Sequence, residues 1–287
     1  MARHLKSERR GGTNRAPKEF AFLFFCLFGL PGLVSAQSQA PGTGLGPVLP
    51  DLTASAIVPD NAPETLTTPK LFLGDIVRDQ ESIWKFPWGV AHGRYWKPAV
   101  AFTVATAGLV ELDPHDTPYF RRTQGFSGFN GTFSSFNTGL GEGLFPAAFF
   151  LMGHQRKDRH MEKTALLAGE ALADAEILSE IMKNMDRRLR PREITNGDFG
   201  HTWFKAGGGI LINRGSFPSG HAIGAFSMAT IIAERYRQHR WVPWVAYGAA
   251  GLVGFSRITL QAHFPSDIFA GAVLGYAISH YVVLRNQ

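Results

Sequence analysis

The chain has 287 residues, 45% of them apolar, with 29 basic and 23 acidic residues and a formal net charge of +6. That is enough to bury one full core and leave a tail. Six basic and two acidic residues fall within positions 1–36, so the remainder holds 23 basic against 21 acidic, a net of +2, and a nucleic-acid-binding reading loses its electrostatic support.

Residues 1–36 read as an export signal: a basic start, an apolar run from Phe20 to Leu30, a Pro31-Gly32 break and the small residues Val34-Ser35-Ala36 as a cleavage site. Eleven apolar residues are too few to cross a bilayer, which takes about 20, although an uncleaved anchor is the alternative. Cys26, the sole cysteine, lies in this run, so cleavage leaves a mature protein without disulfides. Positions 37–69 are rich in Pro, Gly, Ser, Thr and Ala without apolar periodicity, the pattern of a flexible linker. Positions 70–96 mix Phe72, Ile76, Trp84, Phe86, Trp88 and Trp96 with charges, an amphipathic aromatic segment suited to the domain surface or to a membrane interface.

From 97 to 285 the pattern predicts an all-α domain, a bundle of about six helices near 98–111, 144–154, 163–184, 220–236, 242–256 and 266–284. Runs longer than ten residues and rich in Ala, Leu and Met favour helix over strand. Between the first two, positions 112–143 read as a loop whose Asp113, His115 and Asp116 are turn and capping residues rather than metal ligands. Glu170, Asp174, Glu176 and Glu180 read as a solvated face. The Gly207-Gly208-Gly209 run lacks dinucleotide-binding spacing and reads as a flexible loop. The charge-free runs between Lys97 and Glu111, Arg240 and Arg257, and Asp267 and Arg285 enclose 13, 16 and 17 residues, just short of the roughly 18 that flag a transmembrane helix, and the mean hydropathy of −0.05 is low for a polytopic membrane protein. Integral and soluble forms both stay open.

Three polar clusters stand out in the apolar half. Pro218-Ser219-Gly220-His221 opens a helix: Ser219 is a natural N-cap, the helix start offers unpaired N–H groups to an anion, and Gly220 lets the backbone approach a phosphate oxygen. Ser256-Arg257, His263 and Asp267 form the second group. Asp267 can accept a hydrogen bond from one ring nitrogen of His263 and leave the other free to attack, while Arg257 offers a five-donor fork. Lys183 and Arg190-Pro191 add two cations, crowded by Arg187, Arg188 and Arg192, which by themselves describe a solvated basic turn. Phosphoryl transfer requires charge on three equatorial oxygens to be stabilised, together with a nucleophile and an acid for the leaving group. The clusters supply that set jointly.

Lys183-x6-Arg190-Pro191, Pro218-Ser219-Gly220-His221 and Ser256-Arg257-x5-His263-x3-Asp267 resemble the three-part signature of the type 2 phosphatidic acid phosphatase and vanadium haloperoxidase superfamily, at every signature position and over about residues 97–285. The resemblance implies a helical bundle in which His263 is the nucleophile that forms a phosphohistidine, Asp267 orients it and His221 protonates the leaving oxygen. It further implies that Lys183, Arg190, Ser219, Gly220 and Arg257 hold the phosphate. It implies no metal and no cofactor, vanadate being expected only in the haloperoxidase branch. The expected protein is an exported phosphatase of phosphate monoesters or pyrophosphates at the cell envelope, its partners phosphorylated lipids and a membrane. The alternatives are a soluble periplasmic acid phosphatase acting on small phosphoesters and, further off, a haloperoxidase.

Overall fold

The computed structural model describes residues 69–287 except 124, 210, 211 and 214. The expected signal segment and all but the last residue of the expected linker lie outside the described residues. Among those described, the architecture is the expected all-α bundle: α1 (Pro69–Ala91), α2 (Trp96–Arg122), α3 (Ser127–Thr132), α4 (Ser135–Arg156), α5 (Arg159–Asp186), α6 (Gly220–Arg235), α7 (Val242–Thr259) and α8 (Pro265–Ile278). A π-helical turn, Ser279–Val283, continues α8, and the glycine run enters a two-residue antiparallel pairing of β1 (Gly208–Gly209) with β2 (Ile212–Asn213).

All six expected helices are present, and two more join them. The aromatic segment is helix α1, and the expected 112–143 loop is mostly helical. In that stretch α2 continues to Arg122 through Pro114 and Pro118, then α3 and the start of α4 follow. Proline normally ends a helix because it lacks an N–H. Here the Thr117 hydroxyl donates to the Asp113 carbonyl at 2.6 Å, and Asp113 itself is fixed from outside the helix (below). His115 and Asp116 remain exposed on α2.

Helix α6 is the centre of the bundle, packed by α5, α7 and α8, with 12 of its 16 residues buried. Its faces are lined with Ala, Gly, Ser and Ile, and small residues let neighbouring backbones come close. The approach is tightest at α8: a Cβ added to Gly275 would lie 2.4 Å from the Ile223 carbonyl oxygen, and one added to Gly271 2.9 Å from that of Ser219. This packing brings the start of α6, with Ser219-Gly220-His221, against the start of α8, with Asp267. The Ser219 N–H donates to the Asp267 carbonyl at 3.1 Å. Helix caps hold the other ends. Ser134 accepts from Asn137 N–H at the start of α4, Asp158 from Met161 N–H at the start of α5, and Ser219 from Ala222 N–H at the start of α6.

The segment Pro265–Val283 is long and apolar enough to cross a membrane, with a little under half of it buried within the protein. In α1, Ile83 packs on the core, whereas Trp84, Phe86 and Trp88 are exposed, as are Tyr95 and Trp96 after it.

Gly275→Ala is expected to destabilise the protein by about 1–3 kcal/mol through overpacking. Gly251→Ala, where a Cβ meets nothing within 4 Å, is expected to be neutral or stabilising by up to about 1 kcal/mol. Denaturant titration of both variants checks the contrast.

Candidate active site

The site is built where the α5–α6 connection crosses the starts of α6 and α8. Helix α5 ends as Arg187 turns into the left-handed region at φ 45°, and the Asp186 carboxylate accepts the Arg188 N–H at 3.0 Å. That reversal sends Arg188 into the interior. Its guanidinium donates to Asp267 Oδ1 at 2.6 Å, to Asp113 Oδ2 at 2.7 Å and to the hydroxyls of Ser266 at 2.7 Å and Thr202 at 3.2 Å. It lies between the rings of Phe264, 4.1 Å away, and Trp203, 4.6 Å away. Arg188, Asp113 and Asp267 are each at most 1% exposed. A buried carboxylate is tolerated when paired and hydrogen-bonded, and here one cation serves two.

The basic turn is therefore not uniformly solvated. Arg188 does structural work at its centre, and Asp113, expected to serve in a turn, is its second counter-ion. No sequence spacing reveals this, because the partners lie 75 and 79 residues away.

Asp267 in turn organises His263. Its Oδ2 accepts the Ser216 hydroxyl at 2.5 Å and the Phe264 N–H at 2.9 Å. Burial raises the Asp267 carboxyl, but Arg188, His263 and Ser216 outweigh it and hold the group below the usual carboxylate range. The distance from Asp267 Oδ2 to His263 Nδ1 is 3.6 Å, too long for a hydrogen bond. The closest partner of Nδ1 is instead the Ser216 carbonyl at 2.7 Å, with the Ser216 hydroxyl at 3.4 Å. A carbonyl only accepts, so Nδ1 carries the proton and Nε2 keeps its lone pair. Ser216, two residues before the Pro218-Ser219-Gly220-His221 cluster, had no role in the sequence reading. It bridges the carboxylate and the imidazole.

His263, His221, Gly220, Lys183 and Arg190 line one pocket of about 370 Å³, together with Gly139, Glu142, Gly143, Leu172, Glu176 and Glu180. The structure thus collects five of the eight expected site residues around one pocket. Ser219 caps α6 just behind it. Lys183 Nζ bonds Glu180 Oε1 at 2.7 Å, and Arg190 Nη2 donates to the Gly215 carbonyl at 3.4 Å. A Cβ on Gly220 would lie 2.9 Å from Lys183 Nζ, so glycine leaves that amine its place. Arg257 is held differently from the expectation. Its donors go to the hydroxyls of Ser135 at 3.1 Å, Thr138 at 2.9 Å and Ser256 at 3.0 Å and to the Phe133 carbonyl, tying α7 to the start of α4. It acts on the pocket as a nearby charge, not as a lining residue.

The acids of α5 divide between two environments and are not one solvated face. Glu176 and Glu180 line the pocket, while Glu170 and Asp174 are buried beneath α1, the helix absent from a reading of α5 alone. Glu142 also went unnoticed in the sequence. Burial, reinforced by Glu176, pushes its carboxyl well above the ordinary value, and Oε1 is buried without a donor.

Both histidines are held neutral. Burial first, and Arg190 and Lys183 after it, bring His263 down to about 4 against the pull of Asp267. Burial and then Arg257 bring His221 down to about 3, while its Nε2 contacts the Ser135 carbonyl at 3.2 Å. The pocket therefore offers an unprotonated imidazole among cations, an arrangement that suits attack on a phosphorus atom.

Comparison with known proteins agrees with the motif resemblance. Residues 164–287 match the model of the PAP2 superfamily. The chain is 28% identical over 118 residues to a lipid A 4'-phosphatase of Porphyromonas gingivalis, covering 41% of this chain and 48% of that protein. It is 34% identical over 104 residues to a lipid A 1-phosphatase of Rhizobium etli, covering 34% and 40%. The chain thus spans less than half the length of these curated relatives. Among solved structures it is similar, at 20% identity and a TM-score of 0.44, to a transmembrane PAP2-type phosphatidylglycerolphosphate phosphatase from Bacillus subtilis, over 65% of this chain and 94% of that one.

Arg188→Met is expected to cost about 3–5 kcal/mol, because it leaves two carboxylates buried without their cation, and Arg188→Lys is expected to recover only part of it, a single ammonium being unable to reach both. Chemical denaturation measures both. The depressed histidines predict a second effect. The unfolded chain takes up a proton near pH 6.5 that native His263 accepts only near 4, so stability present above 6.5 is lost as the pH falls through that window. Thermal melts from pH 7 to 4.5 should show a shallower fall for His263→Gln than for the wild type.

Proposed function

We propose that this chain, whose residues 164–287 match the PAP2 superfamily model, belongs to that family and is a metal-independent lipid phosphatase that cleaves phosphate monoesters or pyrophosphates through a phosphohistidine at the cell envelope. The observation that carries the reading is the single pocket in which an Nδ1-protonated His263 faces Lys183, Arg190, the start of α6 and His221.

The steps follow from that arrangement. A phosphate group enters with its oxygens toward Lys183, Arg190 and the N–H groups that open α6, where the helix dipole favours negative charge. Lys183 exchanges Glu180 for the substrate. Nε2 of His263 forms a bond to phosphorus as the bond from phosphorus to the leaving oxygen breaks, and the imidazolium that develops is stabilised by the Ser216 carbonyl and by Asp267 behind it. His221 gives its proton to the leaving oxygen. It is neutral in the free site because it is buried and lies near the Arg257 charge, and a bound phosphate dianion would supply the opposite charge that raises its proton affinity. Water then attacks the phosphohistidine, with His221 as base, and inorganic phosphate leaves. No step needs a metal ion.

Two observations favour a lipid phosphate. The relatives include lipid A phosphatases. The exposed Trp84, Phe86, Trp88, Tyr95 and Trp96 form an aromatic band of the kind that settles at a membrane–water boundary. An exported protein positioned in this way would meet its substrate at the outer side of the cytoplasmic membrane.

Purified protein mixed with phosphatidic acid or a polyprenyl pyrophosphate, without added divalent metal, is expected to release phosphate. His263→Ala should abolish release, and trapping in acid-quench experiments should find the phosphoryl group on His263. Release that survives His263→Ala would sink the mechanism. His221→Asn is expected to lose about 10²–10⁴-fold on the lipid substrate and much less on an activated aryl phosphate, whose leaving group needs no proton.

A further inference from the structure

On the face of α5 turned away from the pocket, three carboxyl groups meet inside the protein. Asp79 comes from α1, and Glu170 and Asp174 lie one turn apart on α5. Each is at most 2% exposed, and each places a carboxylate oxygen within 4.8 Å of the other two. Asn286 Nδ2 donates to Asp79 Oδ1 at 2.6 Å and Gln80 Nε2 to Asp174 Oδ1 at 2.9 Å. The second oxygens do not share in this: Asp79 Oδ2, Glu170 Oε1 and Asp174 Oδ2 are all buried with no donor. Each residue thus keeps, next to the cluster, one buried oxygen that no donor outside the cluster reaches.

Positive charge nearby is insufficient. Arg78 Nε lies 3.9 Å from Asp79 Oδ1, but its side chain is about half exposed and bonds Asp75 at 2.7 Å. Asp75 adds further negative charge on the same side. Left to themselves, these groups oppose the docking of α1 on α5. A cation among the three acids would remove that opposition.

The donor chemistry identifies that partner. All three ligands are carboxylate oxygens, which suit hard cations, and neither imidazole nor thiolate is among them. Calcium holds oxygens at about 2.3–2.6 Å in flexible geometry, so ligands across one ion lie up to about 5 Å apart. Magnesium requires near-ideal octahedra at about 2.0–2.1 Å and a correspondingly tighter set. We propose that Asp79, Glu170 and Asp174 bind one calcium ion that pins α1 and the C-terminal Asn286 to α5. The site is structural and lies apart from the phosphate pocket: at about 100° per residue, the mean direction of positions 170 and 174 on α5 is roughly 130° from that of 176, 180 and 183.

The test uses the full chain, stripped with chelator and dialysed against calcium. One calcium ion should bind per chain and raise the melting temperature, and magnesium at the same concentration should do so less. The near-isosteric variants Glu170→Gln and Asp174→Asn should each weaken calcium binding at least about tenfold, while melting in calcium-free buffer no lower than the wild type, since each removes a carboxylate from a repulsive cluster. His263→Ala should bind calcium like the wild type, so the result does not depend on the pocket's chemistry. Failure of the wild type to bind calcium, a larger response to magnesium, or undiminished calcium binding by Glu170→Gln and Asp174→Asn would each overturn the proposal. A wild-type protein insensitive to calcium would mean instead that Glu170 and Asp79 share a proton.

Discussion

The pairing of Arg188 with Asp113 and Asp267 is the constraint on which the rest of the site depends. One guanidinium joins α2, the α5–α6 connection and the start of α8, and it does so without solvent. Its planar fork is suited to this because it can address two carboxylates and two hydroxyls at once. With Arg188 in place, Asp267 stays ionised, Ser216 is held against both Asp267 and His263, and the imidazole has one tautomer. If the guanidinium were absent, the acids would neutralise or move, and the chain from Arg188 to the His263 ring would lose its anchor.

The pocket reflects a balance of opposed charges. Lys183, Arg190 and the nearby Arg257 face Glu142, Glu176 and Glu180, and the Lys183–Glu180 contact shows one way in which the free site satisfies itself. Under the proposed function a phosphate dianion would compete for the cations and add charge that the acids disfavour, so the cations would have to dominate where the oxygens sit. The start of α6 contributes there without any side chain. Gly220 keeps that end open to Lys183, and Gly271 and Gly275 of α8 let α8 lie close enough for Asp267 to meet Ser219. The dense apolar packing of α6 and the polar wall at its start are thus one piece of construction.

Helix α5 has a different environment on each side. One side carries the pocket acids and Lys183. The other carries Glu170 and Asp174, covered by α1, whose exposed aromatic residues face outward. An element that supports the site on one face and anchors an aromatic helix on the other can couple the position of α1 to the packing beneath the pocket.

Much of this was legible along the chain. The six core helices follow from apolar runs too long and too rich in Ala, Leu and Met to be strands. Lys183, Arg190, Gly220, His221 and His263 could be grouped because each sits at a helix end with chemistry suited to an oxyanion. Helix α1 and the helical 112–143 stretch were less legible, since Pro114, Pro118 and Asp113 signal a turn locally and only the pairing of Asp113 with Arg188 reverses that signal. Ser216 and Glu142 went unnoticed, Arg188 read as part of a solvated basic turn, and Glu170 and Asp174 read as solvated because the helix that covers them is separated by about ninety residues. Local sequence determined which segments are helical and which residue types gather at their ends, because periodicity and capping act within a few residues. The tertiary structure decided which charges are buried together and which ring nitrogen is free, because burial and long-range pairing depend on partners that no local spacing records.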